Sequence, residues 1–169
     1  MFLLDTAIVS EIRKKKPDAG VLRCVSKQKA DRLFLNVVTL GEIERGIEKR
    51  RKANPGLTDG LVAWLESMTR LYADRVLPVT PGRARRWGRI SAQLGHDGAD
   101  LLIAATAPVH GLTVATRNSG HFVPAGVTVI NPFMGMSGAL SSKSGARINR
   151  PQDRVALYSS RHRFRLSQP

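Results

Sequence analysis

Acidic side chains stand at three places in this sequence where their type and spacing could support metal chemistry. Asp97 and Asp100 lie three residues apart in HDGADLLIAATA, directly before an unbroken apolar run. Asp5 follows the apolar FLL, and Glu42 comes shortly after LFLNVV. Carboxylates that have no His or Cys partners suit hard cations such as Mg²⁺ or Mn²⁺. A metal site therefore requires a fold that brings these separate acids together.

Short apolar segments alternate with longer amphipathic segments through residues 1–133, which indicates strands separated by helices. The strands are predicted at residues 2–4, 33–38, 76–79, 112–116 and 127–130. The helices are predicted at Thr6–Lys16, Ala19–Lys29, Leu40–Lys52, Leu57–Leu71, Pro81–Leu94 and Ala99–His110. This order predicts an α/β fold with a central parallel sheet flanked by helices on both faces. Pro108 is expected to kink or end the last helix early, and Gly111 to stop it.

Open parallel sheets bind ligands beyond the carboxyl ends of their strands, where loops lead into helices. Several polar side chains fall at such junctions, and Glu42 is expected in the first turn of its helix. These junction residues are Asp5, Glu42, Asp97, Asp100, Thr116, Arg117 and Asn118. The predicted fold would gather several of them at one edge of the sheet.

Each acid also has a purely structural interpretation as a helix cap. The sequence TLGE from Thr39 to Glu42 matches a capping box, S/T-x-x-E. Asp5 could be the N-cap of the helix that begins TAIVSE, and Asp97 the N-cap of the next acidic helix, with Asp100 at its N3 position. Caps need no common location, whereas a metal site does. Several acids at junctions of one sheet edge therefore favour the metal site.

The charge of the chain points to a polyanionic partner. The formal net charge is +14 and the pI is about 11.2. Lys and Arg contacts to phosphates release counterions and steer association, so a chain this basic tends to bind nucleic acid. A well-solvated basic surface is the alternative. Phosphodiester hydrolysis unites both features, because metal ions polarise phosphoryl oxygens and a basic exterior holds the nucleic acid.

The composition changes near Pro132. Residues 134–169 hold seven Lys/Arg and one acid and are rich in Ser and Gly, so we expect a basic, largely disordered tail after a domain at residues 1–133. The exception within this tail is a short strand or helix around Val155–Tyr158. The single cysteine, Cys24, and the lack of a basic leader or a long apolar run predict a cytoplasmic protein without a membrane span.

Other chemistries fit the sequence less well. It has no P-loop motif and no G-x-S-x-G elbow, and its four histidines show no zinc spacing. They are interpreted as solvent-facing loop residues, with His121 set apart by its closeness to Asn118. An aspartate-based phosphatase or receiver-like protein would need a second acid two residues after Asp5, and Ala7 occupies that place.

An ordered set of motifs resembles the PIN-domain ribonucleases, specifically the VapC-type toxins of toxin–antitoxin pairs and the FitB-like proteins. The motifs are FLLDTAIVSE, TLGEIERGIEKR, RVLPV, DLLIAATAPVHGLTVATRN and GVTVINPF, which together span about residues 1–133. The most specific piece is D-x-x-I-A-A-T-A followed by T-R-N.

This resemblance implies a three-layer α/β sandwich and a Mg²⁺- or Mn²⁺-dependent endoribonuclease site. The family's acidic positions fall on Asp5, Glu42 and Asp100, and the fourth, Asp or Asn among relatives, falls on Asn118. Thr116 matches a small hydroxyl position near the metal. The resemblance also implies an RNA substrate, a homodimer and inhibition by a cognate antitoxin.

The sequence departs from the family pattern at several points. Ala7 replaces the Asn usual after the first Asp-Thr, Thr80 replaces an acid often seen after L-P-V, and Pro108 interrupts the usual helix. The loop before Asp100 is shorter than in relatives, which leaves Asp97 as an alternative ligand. These departures motivate a second hypothesis, a catalytically weak or inactive module that binds RNA or an antitoxin–DNA complex.

Overall fold

The computed structural model describes residues 1–54, 56 and 58–134, so the predicted tail after residue 134 and the element at Val155–Tyr158 lie outside the described residues. The described chain holds five strands, β1 (Phe2–Leu4), β2 (Leu33–Asn36), β3 (Val76–Leu77), β4 (Thr113–Ala115) and β5 (Val129–Ile130). Its α-helices are α1 (Thr6–Ile12), α2 (Ala19–Ser26), α3 (Val37–Ala53), α4 (Asp59–Leu71), α5 (Pro81–Leu94), α6 (Ala99–Thr106) and α7 (Ser119–Phe122).

All strand pairs are parallel, and the strand order is β3-β2-β1-β4-β5. Side chains alternate between the two faces, as a period of two requires: Leu3 packs into one core cluster and its neighbour Leu4 into the other. The cluster around Leu4 includes residues of α1 to α4, whereas the cluster around Leu3 includes residues of α5 to α7. The predicted three-layer sandwich is confirmed.

The start of α3 differs from the prediction. The strand predicted at 33–38 ends at Asn36, whose side-chain Oδ1 accepts a hydrogen bond of 2.8 Å from Val38 N and caps the helix. Thr39 is therefore inside α3 and completely buried, so the capping box predicted at Thr39–Glu42 is wrong. Glu42 consequently lies in the second turn of the helix rather than the first. The β-branched pair after Asn36 joins the helix because the Asn36 cap outweighs its strand propensity.

The remaining elements are mostly shorter than predicted. β3 stops at Leu77, and the next residue, Pro78, has no N–H to donate to a neighbouring strand. Pro108 ends α6 as predicted, and a 3₁₀ helix at Ala107–His110 follows. Gly111 closes that turn with a positive φ of 61°, which glycine adopts without strain. No helix in the described part of the chain is long and apolar enough to cross a membrane.

Candidate metal centre

Asp5 connects β1 to α1 and is almost fully buried, with 3% of its surface exposed. Its Oδ1 accepts a hydrogen bond of 2.7 Å from Thr6 N, so the predicted N-cap role is confirmed. Its Oδ2 accepts a second bond of 2.7 Å from the hydroxyl of Thr116, which follows β4. Because β1 and β4 are adjacent in the sheet, both residues stand at the same edge. Two donors therefore fix the orientation of this carboxylate.

Glu42 reaches the same edge from α3. The hydroxyl of Thr6 donates a hydrogen bond to its Oε2. Thr6 thus serves two acids, since its backbone N–H binds Asp5 and its side chain binds Glu42. α1 and α3 follow neighbouring strands and pack against each other, which brings these two helix starts together.

Asp100 is the second residue of α6 and is half-buried, with 22% of its side chain exposed. Its Oδ2 lies 2.5 Å from Nδ1 of His121 in α7. When Asp100 is ionised it only accepts hydrogen bonds, and Nδ1 is then the donor in this contact. This contact therefore connects α6 directly to α7 at the Asp100 carboxylate.

The structure brings Asp5, Glu42 and Asp100 together: each offers a carboxylate oxygen, and these oxygens all lie within 4.8 Å of one another. Burial raises the pKa of Asp5 above its usual value, and the nearby charges of Asp100 and Glu42 raise it further. The bonds from Thr116 and Thr6 act in the opposite direction and favour the ionised carboxylate. An oxygen-only donor set under mutual repulsion is suited to Mg²⁺ or Mn²⁺, which would offset the repulsion.

Of the other predicted residues, Thr116 lies among the acids, whereas Asn118 and Asp97 are exposed. Thr116 lies at the centre, completely buried, and its hydroxyl also accepts a 2.9 Å hydrogen bond from Asn118 N. Asn118 is exposed at the start of α7, where its side chain does not cap the helix. Asp97 is exposed and outside the carboxylate cluster.

The N-cap role predicted for Asp97 is wrong. Gly98 occupies the N-cap position of α6, without a side-chain cap, because the helix begins one residue later than an Asp97 cap would require. Asp100 accordingly stands at N2 rather than N3.

Two residues that contact the acids were not predicted as site residues. Thr6 had a signal in the sequence, since a hydroxyl next to Asp5 at a helix start can reach the parallel helix beside it. The sequence signal for His121 was weaker. It lies three residues after Asn118, but the sequence pattern did not indicate which residue it would contact. The contact with Asp100 depends on how α6 and α7 pack, which local sequence does not determine.

Buried Glu11 supports the loop that carries Thr116. Its carboxylate accepts bonds from Lys14 Nζ at 2.6 Å, Asp18 N at 3.0 Å and Arg117 Nη2 at 3.3 Å. The Lys14 bond is the largest of the contributions that lower the pKa of Glu11. The guanidinium of Arg117 also stacks on Phe133, 3.8 Å from the ring centroid. These contacts tie the residue next to Thr116 to α1 and to the end of the described chain.

Known proteins are similar to this chain in sequence and fold. The PIN-domain family model matches residues 2–125. The chain is 36% identical over 143 residues to VapC ribonuclease Y4jK from Sinorhizobium fredii, covering 79% of this chain and 98% of that protein. It is 33% identical over 141 residues to Toxin FitB from Neisseria gonorrhoeae, covering 79% and 99%. The crystal structure of FitAcB from Neisseria gonorrhoeae matches with a TM-score of 0.69 and 34% identity, covering 79% of this chain and 99% of that chain.

The family resemblance inferred from the motifs is confirmed by these matches. The family match extends from β1 to the residues after α7 and so includes the three clustered acids and Asn118. The relatives are covered over nearly their whole length. The chain belongs to the PIN-domain family, among its VapC- and FitB-like members.

Proposed function

We propose that this protein is the toxin of a toxin–antitoxin pair and acts as a Mg²⁺- or Mn²⁺-dependent endoribonuclease. The observation that carries the proposal is the convergence of Asp5, Glu42 and Asp100, with ligand oxygens within 4.8 Å. The net charge of +14 supports a nucleic-acid substrate. The names VapC ribonuclease and Toxin FitB, carried by relatives, support the reaction and the biological role.

The three acids would hold the cation, with Asn118 completing the site. A bound Mg²⁺ or Mn²⁺ supplies Lewis-acid chemistry at the phosphodiester and lowers the pKa of water. Thr116 and Thr6 orient the carboxylates by hydrogen bonds, so that little reorganisation is needed on binding. Because the pKa of Asp5 is raised, protons compete with the cation for this carboxylate, and cation binding should strengthen as pH rises.

The partners follow from the same assignment. We expect an RNA substrate, a cognate antitoxin and a homodimer in the cytoplasm, as the sequence resemblance implies. The second candidate, an inactive PIN-fold module that binds RNA or an antitoxin–DNA complex, is favoured by Ala7 in place of the usual Asn.

RNA cleavage tests the choice between these two functions. Labelled RNA oligonucleotides of random sequence are incubated with the full chain and Mg²⁺ or Mn²⁺. The wild type should cleave them, and Asp5→Ala should lose at least 100-fold in rate, as expected when a group acting in the reaction is removed. Asp97→Ala is the matched control, because it removes an exposed nearby acid outside the cluster.

Equal activity of Asp5→Ala and the wild type would refute the metal site. A wild type that binds Mn²⁺ and RNA without cleaving would instead establish the binding module.

A further inference from the structure

His121 makes the only contact with the Asp100 carboxylate among the side-chain hydrogen bonds of the described residues, at 2.5 Å. The other acids each have a threonine donor, whereas Asp100 has an imidazole. The histidine is 61% exposed, but its neighbour Phe122 is completely buried in the core cluster beside α6. A buried anchor next in sequence therefore holds an accessible imidazole against the acid.

Geometry argues against His121 as a fourth ligand. Among the described residues, the group whose ligand atoms all lie within 4.8 Å of one another contains three acids and leaves out both ring nitrogens of this histidine. Its Nδ1 is engaged with Oδ2 of Asp100. The imidazole is therefore placed behind the ligand rather than among the ligands.

Asp100 has potential hydrogen-bond donors on its own helix that compete with the metal-binding orientation. It sits in the first turn of α6, whose N-cap Gly98 has no side chain to bind the free N–H groups of that turn. Those N–H groups can attract the carboxylate of Asp100 itself, in a rotamer directed back to its own helix. A donor on a different element, such as His121 on α7, opposes that rotamer.

We infer that His121 is a positioning residue that holds Asp100 in its metal-binding orientation, and that its hydrogen bond sets the affinity of the site for the divalent cation. The inference rests on the proposed function. Partners that orient a metal ligand in this way typically change metal affinity by about 10–100-fold when removed.

Mn²⁺ titration of the full chain, followed by the EPR signal of free Mn²⁺, tests this role without relying on activity. His121→Ala should weaken Mn²⁺ binding at least about tenfold. His121→Asn should stay within about threefold of the wild type, because its amide can donate from nearly the position of Nδ1. His96→Ala is the control, since His96 is an exposed imidazole close to α6 in sequence and outside the cluster. It should leave binding unchanged.

A second measurement separates positioning from ligation. Mn²⁺ coordinated by an imidazole shows ¹⁴N coupling in pulsed EPR spectra. If His121 is not a ligand, the wild type and His121→Ala should show the same spectrum, without a coupling that depends on His121. Such a coupling would overturn the inference by making His121 a ligand. Unchanged affinity in His121→Ala, or equal weakening in the Ala and Asn variants, would also overturn it while leaving the proposed function intact. Failure of the wild type to bind Mn²⁺ would overturn both.

Discussion

The hydroxyl of Thr116 is the most informative single group to remove, because it connects the metal-site acid to the following loop. It donates to Asp5 Oδ2 at 2.7 Å and accepts from Asn118 N at 2.9 Å. Thr116→Val replaces this hydroxyl by a methyl group of similar shape, so the packing around a completely buried side chain changes little. Thr116→Ser keeps the hydroxyl and is the matched control.

The expected loss of stability follows from these two bonds. A hydrogen bond to an ionised carboxylate contributes about 1.5–3 kcal/mol, and the N–H of the exposed Asn118 can regain part of its loss from water. We therefore expect Thr116→Val to lower the free energy of unfolding by about 3 kcal/mol at neutral pH. For a domain of this size, that corresponds to a decrease in Tm of about 10 °C.

The loss should depend on pH in a defined direction. The bond from Thr116 favours ionised Asp5, so the valine raises further a pKa that burial has already raised above 3.8. A carboxyl with a raised folded pKa destabilises the protein least at low pH, where it is protonated in both states, and its penalty grows as pH rises from the unfolded pKa to the folded pKa. The difference between Thr116→Val and the wild type should therefore grow as pH rises above the folded pKa of Asp5.

Chemical denaturation of the EDTA-treated protein at a series of pH values measures this dependence. Thr116→Ser should stay close to the wild type throughout. The reasoning fails if the valine and serine variants have the same stability. It also fails if the loss in the valine variant is independent of pH, since the hydroxyl would then not be interacting with an ionised Asp5.

Two further predictions concern buried acids. Asp5→Asn should abolish Mn²⁺ binding in a titration and make the stability of the metal-free protein less dependent on pH, because it removes a charge that burial and the neighbouring acids oppose; an unchanged pH dependence would contradict the repulsion. Glu11→Gln should destabilise the protein by about 1–2 kcal/mol at pH 7, since Lys14 and Arg117 are half-exposed and their ion pairs are partly screened. Glu11 has a lowered folded pKa, so its contribution is present above the unfolded value of 4.5 and is lost as pH falls through the folded pKa. Denaturation at pH 7 and pH 3 should therefore show a smaller difference at the lower pH.

The parallel sheet and the position of its acids were predictable because they follow from strong, local signals. Short apolar runs such as FLL and LTVA indicate buried strands, because both faces of the strand are covered. Once those strands are parallel, the residues after them must meet at one edge. Asp5 and Asn118 were located by that rule alone, and Pro108 ended its helix for the covalent reason that it lacks an N–H.

The start of α3 was not predictable because two local signals competed. Asn36 and Thr39 are both favourable caps, three residues apart, and the intervening β-branched residues read as a continuation of the strand. The pattern S/T-x-x-E favoured Thr39. Both side chains are completely buried, but that of Asn36 accepts from Val38 N and donates to Thr106 Oγ1 on α6 at 2.9 Å, and these bonds favour it as the cap. The contact with Thr106 joins residues 70 positions apart, which no window of sequence contains.

Each acid could be a helix cap or a metal ligand on the basis of the sequence. At Asp5 the two roles are compatible. One carboxylate oxygen caps α1 and the other is held by Thr116, while each oxygen retains a lone pair for a cation. The cap alone does not explain the surroundings, because a helix start gains nothing from two more carboxylates placed within 4.8 Å. Their charges raise the pKa of Asp5 and oppose folding at neutral pH. A divalent cation converts that repulsion into attraction. The proximity of three carboxylates is therefore the physical argument for the proposed metal site at this edge of the sheet.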